Sequence, residues 1–164
     1  MSKFIKAAVA SSVLAASVMG AGAAHAATAS ADASANILEQ IQIDKTSDLG
    51  FGTIVTGTTA STVAIAADGS RSCGTVLVCS GATSAAGFNV TAGTIGRTVN
   101  VSADTSVTLT NPDGDTMTAS LSPSVATIVL DGTDSFSVGG TLNVDANQAD
   151  GLYEGSFDVT VNYQ

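Results

Sequence analysis

The 164-residue sequence contains no tryptophan, one histidine, and five basic residues against 14 acidic ones. The histidine, His25, and two of the basic residues, Lys3 and Lys6, lie in an N-terminal stretch that is predicted below to be removed. The remaining chain has no imidazole for general-base catalysis or metal binding. Its excess of acidic residues disfavours nucleic acid and anionic lipid surfaces as partners.

The N-terminus has the pattern of a secretory signal peptide. Lys3 and Lys6 precede an uncharged, Ala-rich stretch, and Ala24-His25-Ala26 supplies small residues at both cleavage-defining positions. This predicts a signal peptide over residues 1–26 and a secreted protein. A buried N-terminal helix is the alternative, disfavoured because nothing after it has helical periodicity. The stretch is too short and too rich in small residues to span a membrane, and no other segment is a candidate.

The two cysteines, Cys73 and Cys79, are separated by five residues in a chain predicted to reach an oxidising compartment. This favours a disulfide that closes a small loop, with free or intermolecular thiols as the alternative. The spacing differs from the two-residue gap of thioredoxin-like pairs, and a zinc site would need carboxylate ligands. We therefore expect no metal at the cysteines.

Apolar residues alternate with polar ones along most of the chain after residue 26, and Thr, Ser, Val, Gly and Ala dominate its composition. This pattern favours short strands with almost no helix, and regularly spaced short strands are typical of a β-sandwich or barrel. The predicted body covers residues 38–164. Its clearest alternating runs are Leu49–Val55, Val63–Ile65, Phe88–Val90, Val99–Val101, Val107–Leu109, Met117–Leu121, Phe136–Val138 and Leu142–Val144.

Two interruptions of these runs predict turns. Asn111-Pro112-Asp113-Gly114-Asp115 predicts a hairpin loop, and Gly139-Gly140 predicts a bulge or tight turn. Asn111, Asp113 and Asp115 resemble the start of a calcium loop. However, the Gly does not occupy the sixth place, and Ser122 stands where the bidentate Glu belongs. A plain Asp/Asn turn is therefore favoured there, and solvated turns are favoured for the other acidic residues.

The N-terminal segment Ala27–Ile37 alternates without a break, which predicts a strand with one buried face. Five buried alanine methyls would contribute roughly 4 kcal/mol at about 0.8 kcal/mol each, less than the cost of ordering ten residues at about 1–2 kcal/mol each. The strand therefore needs a hydrogen-bond ladder, either between two other strands or in a slot that a partner supplies. Its apolar positions are Ala27, Ala29, Ala31, Ala33, Ala35 and Ile37.

The C-terminal segment Tyr153–Gln164 shows the strongest alternation in the chain, with Tyr, Gly, Phe and Val on one face and polar residues on the other. This predicts a long strand that needs a neighbour, because an exposed apolar strand edge promotes association.

The alternating N-terminal segment, KTSDLGFGTIVTG at Lys45–Gly57 and TLNVDANQADGLYEGSFDVTVNY at Thr141–Tyr163 together resemble a family of secreted proteobacterial proteins of unassigned function. That family in turn resembles the subunits of chaperone–usher fimbriae, the pilins. Pilins are immunoglobulin-like sandwiches that lack a strand and receive it from the N-terminal extension of the next subunit. Their C-termini typically carry a penultimate Tyr, alternating apolar residues and an upstream Gly.

The resemblance implies an all-β, immunoglobulin-like or pilin-like sandwich completed by an N-terminal donor strand, residues 27–37, acting in cis or in trans. It implies a periplasmic chaperone, an outer-membrane usher and copies of the chain itself as partners, with passage through the periplasm to the cell surface. The local Cys73/Cys79 loop and the alanine-rich donor strand depart from the usual pilin pattern. The edge implied to bind the chaperone and then a neighbour comprises Gly151, Phe157, Val159, Val161 and Tyr163.

No catalytic constellation is present: the sequence has no G-x-S-x-G elbow and, after residue 26, no histidine to activate a hydroxyl. We expect a structural fimbrial subunit rather than an enzyme, with no cofactor. The alternative is a monomeric, self-completed sandwich that binds a carbohydrate or another cell-surface component. A secreted hydrolase is the weakest hypothesis.

Overall fold

The computed structural model describes residues 26–164, and all strands within this part are antiparallel. The predicted signal peptide lies, except for Ala26, outside the described residues. No helix occurs among residues 26–164, and none of them belongs to a helix long and apolar enough to cross a membrane. The strands are β1 (Gln42–Ser47), β2 (Thr53–Val55), β3 (Ser61–Ile65), β4 (Arg71–Cys73), β5 (Val78–Ser80), β6 (Ala86–Ala92), β7 (Thr98–Ala103), β8 (Ser106–Thr110), β9 (Thr116–Pro123), β10 (Thr127–Val129), β11 (Ser135–Val144) and β12 (Val159–Tyr163).

The largest sheet is organised around the ten-residue strand β11. Its N-terminal half pairs with β6, and its C-terminal half pairs with β3 and β9. Since Thr141 has both Ala64 and Ser120 as partners, β3 and β9 lie on opposite sides of β11. The sheet continues through β6 to β1, through β3 to β4, and through β9 to β8.

Two smaller sheets complete the fold. β7 lies between β10 and β12, and β2 and β5 form a two-stranded ribbon. Alternating side chains of these strands face inward, and the residues between them are exposed, including the apolar Val55, Val78 and Val129. The predicted all-β, sandwich-like fold is confirmed.

The buried side chains form two clusters. The first is centred on Val63, Ile65 and Leu142, and the second on Val99, Val138 and Phe136, whose ring stacks on Phe88 at a centroid distance of 5.3 Å. Leu49, Leu121 and Phe157 border both clusters and so connect them. The second cluster lies against β12.

The predicted hairpin loop at residues 111–115 is confirmed, because it connects the paired strands β8 and β9. The main-chain N–H of Asn111 donates to Asp115 O over 3.0 Å, and the N–H of Asp115 donates to Asn111 Oδ1 over 2.7 Å. The side chain of Asn111 is buried and donates to Asp115 Oδ2 and to Asp150 O. Asn111 therefore stabilises the turn itself.

The predicted bulge or turn at Gly139-Gly140 is wrong, because both residues lie inside the continuous strand β11. The absence of side chains at these two glycines permits close packing of neighbouring main chains instead. A Cβ on Gly139 would meet Ile65 O at 2.4 Å, and one on Gly140 would meet Ser120 O at 2.9 Å. The main chains of β3 and β9 thus approach β11 more closely than a side chain would allow.

Candidate functional site

Strand β12 pairs with β7 on one side only. The N–H of Asp104 donates to Asp158 O, and the N–H of Gln164 donates to Thr98 O, at the two ends of this ladder. Directly opposed residues of an antiparallel pair alternate between hydrogen-bonded and non-hydrogen-bonded positions. The even-numbered residues from Asp158 to Gln164 therefore bond to β7.

The odd-numbered residues Val159, Val161 and Tyr163 consequently direct their N–H and C=O groups away from β7. No backbone partner for these groups occurs among residues 26–164. The same three side chains face the second core cluster: Val161 is 9% exposed, and Val159 and Tyr163 are half-buried. We call the unpaired groups of these three residues the open edge. It combines free hydrogen-bonding capacity with an apolar face.

The open edge also lacks the features that usually protect edge strands from association. Lys, Pro, bulges and very short length are the common protections. Sequence VTVNY of β12 contains no charged residue and no Pro, and its pairing with β7 shows no register shift. The strand is five residues long, which is enough to guide another strand into register.

The other edge strands of the described chain are protected or short. β1 carries Asp44 and Lys45, and its pairing with β6 contains two register shifts. β8 is covered at one end, because Thr110 and Glu154 exchange main-chain hydrogen bonds. The remaining edge strands, β2, β4, β5 and β10, have three residues each.

Of the five residues predicted to form the partner-binding edge, three make up the open edge and two lie elsewhere. Phe157 is half-buried between the two core clusters. Gly151 is exposed, adopts φ 145° and lies against Asn111. A Cβ on Gly151 would be 3.2 Å from the side-chain nitrogen Nδ2 of Asn111. Gly151 therefore belongs to the approach to β12 and not to the strand.

The C-terminal strand is shorter than the alternation predicts, because regular pairing begins at Val159 and not at Tyr153. The preceding residues cross between two sheets. Glu154 bonds to Thr110 of β8, whereas Asp158 bonds to Asp104 after β7. At Gly155 a Cβ would meet Thr108 O at 2.4 Å, so this crossing passes directly over the β8 main chain.

The predicted donor segment Ala27–Ile37 forms no strand in the described chain. All its side chains are exposed, including Ile37 at 87%. Alanine methyls bury too little apolar area to order such a segment without a hydrogen-bond ladder. We call residues 27–37 the arm.

Glu39, two residues after the arm, is connected to β12 by side-chain hydrogen bonds that the sequence pattern does not reveal. The Tyr163 hydroxyl donates to Glu39 O over 2.6 Å, and it accepts the Thr94 N–H over 2.7 Å. The Glu39 N–H in turn donates to Thr94 Oγ1 over 2.8 Å. These three residues therefore join the last strand, the connection from β6 to β7, and the residues before β1.

The predicted disulfide is confirmed: Cys73 of β4 is bonded to Cys79 of β5. It links the main sheet to the β2–β5 ribbon, which would otherwise be a marginal two-stranded unit. Arg71 supports the same junction, because Nη1 donates to Ser80 O over 2.7 Å. A disulfide of this kind is consistent with an extracytoplasmic protein.

The carboxylates of the acidic turn at residues 131–134 accept hydrogen bonds from the turn itself. Asp131 Oδ1 accepts the main-chain N–H of Thr133 over 2.8 Å and its hydroxyl over 3.0 Å, and these bonds lower the pKa of the exposed Asp131 carboxyl. Asp134 Oδ2 accepts the N–H of Asp131 over 2.8 Å. Within residues 26–164, no three His, Cys, Asp or Glu side chains are arranged to hold a metal ion.

Two shallow grooves lie on the surface. One, of about 200 Å³, crosses Gly139 and Gly140, and the other, of about 190 Å³, lies beside Gly93 and Leu130. Both are below the range of roughly 300–1,000 Å³ usual for small-molecule sites. The aromatic rings of the described chain are buried or half-buried, so they form no exposed stacking platform.

Residues 41–163 match the family model described as "Domain of unknown function (DUF4402)". The match begins just before β1 and ends at the last residue of β12, so it contains every strand and excludes the arm. No curated protein and no solved structure matches the chain.

Proposed function

We propose that this chain, which belongs to the DUF4402 family, is a structural subunit of a fimbria-like surface polymer in which the arm of one copy adds to β12 of the next. One observation carries the proposal: the open edge of β12 is regular, uncharged and unpaired, and its side chains line a core cluster. The arm supplies the complementary element, an alternating segment that has no partner strand within its own described chain.

The alternation of both segments fixes which face of the arm is turned toward the core in this addition. Directly opposed residues of an antiparallel pair lie on the same face of the sheet. The apolar odd-numbered residues of the arm therefore oppose Val159, Val161 and Tyr163, whose main-chain groups are the free ones. Each opposed pair exchanges two hydrogen bonds, so the three pairs satisfy all the free groups of the open edge.

The small side chains of the arm suit this edge. Val161 is already almost buried, and Val159 and Tyr163 are half-buried, so only a thin apolar layer remains to be added. Alanine methyls supply such a layer, and the main-chain hydrogen bonds supply most of the affinity, as in other strand additions.

The proposed route follows from the same edge. An unprotected strand edge is an association hazard during export. We therefore propose that a periplasmic chaperone covers β12 first, that an outer-membrane usher delivers the subunit, and that a second copy then replaces the chaperone. The pilin resemblance is the basis for this order, and the disulfide between Cys73 and Cys79 agrees with passage through an oxidising compartment. No feature of the described residues favours the alternative of a monomeric carbohydrate-binding sandwich.

Deleting residues 27–36 behind an intact signal sequence tests the proposal. The full chain is expected to migrate as a ladder of oligomers when cell-surface material is loaded on a gel without boiling, because exchanged strands dissociate slowly. The deleted chain is expected to be secreted as a monomer. It should bind a synthetic peptide of residues 27–37 and remain bound during gel filtration.

The matched control is a peptide of the same composition in which the alternation is scrambled, and it is expected not to bind. A single monomer band from the full chain, or continued polymerisation of the deleted chain, would exclude the arm as the assembly element.

A further inference from the structure

The Tyr163 hydroxyl, Glu39 and Thr94 form a closed set of hydrogen bonds at the C-terminal end of β12, and we call these three residues the clamp. Tyr163 donates to the Glu39 carbonyl and accepts the Thr94 N–H, and Glu39 donates to the Thr94 hydroxyl. The two bonded residues Glu39 and Tyr163 are 124 positions apart in the sequence. Glu39 is two residues from Ile37, the last residue of the arm, so the clamp fixes the point at which the arm leaves the body.

The local packing is built around this clamp. Gly93 precedes Thr94 and adopts φ 150°. A Cβ at this position would meet Leu130 Cδ1 at 2.6 Å and the Tyr163 hydroxyl at 3.4 Å. Glycine therefore lets the connection between β6 and β7 approach closely enough for the Thr94 N–H to reach the phenol.

The position of the clamp determines the direction in which the chain's own arm could reach the open edge. β12 runs toward Tyr163, and Glu39, two residues after the arm, is held beside that same end. An arm that followed its own β12 directly from Glu39 would run parallel to it. An antiparallel arrangement would first require the arm to span the strand, about 13 Å or four residues at about 3.3 Å each, and then to turn.

We infer that Tyr163 is a positioning residue that keeps the arm from completing its own β12 and so leaves the open edge to a neighbour. This inference rests on the proposed function. Parallel pairing is slightly less stable per residue than antiparallel pairing. The arm of a second copy is not attached at this end, so it enters antiparallel along its whole length. The clamp thereby favours assembly between chains over self-completion.

Tyr163→Phe tests the inference, with Tyr153→Phe as the matched control. The Tyr153 hydroxyl is also half-buried and makes two hydrogen bonds, accepting from Gln148 Nε2 over 2.8 Å and donating to Ala149 O over 2.9 Å. In the full chain, Tyr163→Phe is expected to accelerate amide exchange of Thr94 and Glu39 by at least about tenfold and to slow assembly by about tenfold. Tyr153→Phe is expected to change neither.

A second variant separates a positioning role from a direct role in binding the arm peptide. Thr94→Ala removes the hydroxyl that accepts the Glu39 N–H, and Thr94 lies outside the open edge. In the chain lacking residues 27–36, Thr94→Ala is expected to leave binding of the arm peptide equal to that of the deleted parent, because no attached arm competes. Assembly of full-length Tyr163→Phe at the wild-type rate would overturn the inference and leave the proposed function standing. Weaker binding of the arm peptide to the deleted chain that carries Thr94→Ala would overturn it too. Failure of the wild-type chain itself to assemble would instead overturn the proposed function, and the inference with it.

Discussion

Ala31→Asp is expected to abolish assembly, whereas Ser30→Asp is expected to leave it nearly unchanged. The two variants add the same charge at adjacent positions of the exposed arm, so neither should alter the folded body of the monomer. In the proposed arrangement the odd-numbered Ala31 faces the second core cluster and the even-numbered Ser30 faces solvent. Burying an unpaired carboxylate costs several kcal/mol, which corresponds to a loss of affinity on the order of a hundredfold or more.

The measurement is the affinity of variant arm peptides for the chain lacking residues 27–36, by calorimetry or fluorescence anisotropy. Assembly of the two full-length variants on unboiled gels provides the same comparison in the intact protein. Equal losses for Ala31→Asp and Ser30→Asp would show that the arm does not bind as an alternating strand. A larger loss for Ser30→Asp would mean that the opposite face is buried and that the register is wrong.

Val159→Pro is expected to reduce arm binding at least about tenfold more than Val159→Ala does. The Val159 N–H belongs to the open edge, so proline removes a donor that the monomer does not use. The ring also projects toward the incoming strand. Alanine at the same position removes a comparable part of the half-buried side chain and retains the N–H, so the difference between the two variants isolates the main-chain contribution.

Urea denaturation of both variants checks that the body is intact, and their unfolding midpoints are expected to be similar. Peptide binding to the two variants in the chain lacking residues 27–36 is then compared. If proline and alanine weaken binding equally, the incoming strand does not bond to β12 at Val159.

Much of the fold follows from local alternation, because each half-buried strand shows its own two-residue period. The hairpin at residues 111–115 and the strand of Val159, Val161 and Tyr163 were predictable in this way. The glycine pair in β11 was not, because Gly139 and Gly140 serve close contacts with β3 and β9 that are remote in sequence. The local sequence around these two glycines is as compatible with a turn as with a continuous strand.

The candidate site was only partly predictable for a similar reason. Alternation identifies β12 as a strand, but only the long-range pairing with β7 determines which main-chain groups stay free. Gly151 and Phe157 continue the pattern and nevertheless lie outside the strand, because the chain crosses from β8 to β7 before Val159. The Tyr163 contact with Glu39 joins residues 124 positions apart and leaves no local signal beyond the tyrosine itself.

Amide hydrogen exchange at β12 measures whether the Val161 N–H is free before the arm binds and hydrogen-bonded afterwards. The N–H of Val161 is predicted to exchange rapidly in the chain lacking residues 27–36 and to become protected by about a hundredfold or more when the arm peptide or a second full-length chain is bound. The N–H groups of Thr160 and Asn162, assigned here to the β7 ladder, should be protected in both states and serve as internal controls. Protection of Val161 in the isolated deleted chain, or unchanged exchange in the assembled protein, would contradict the account.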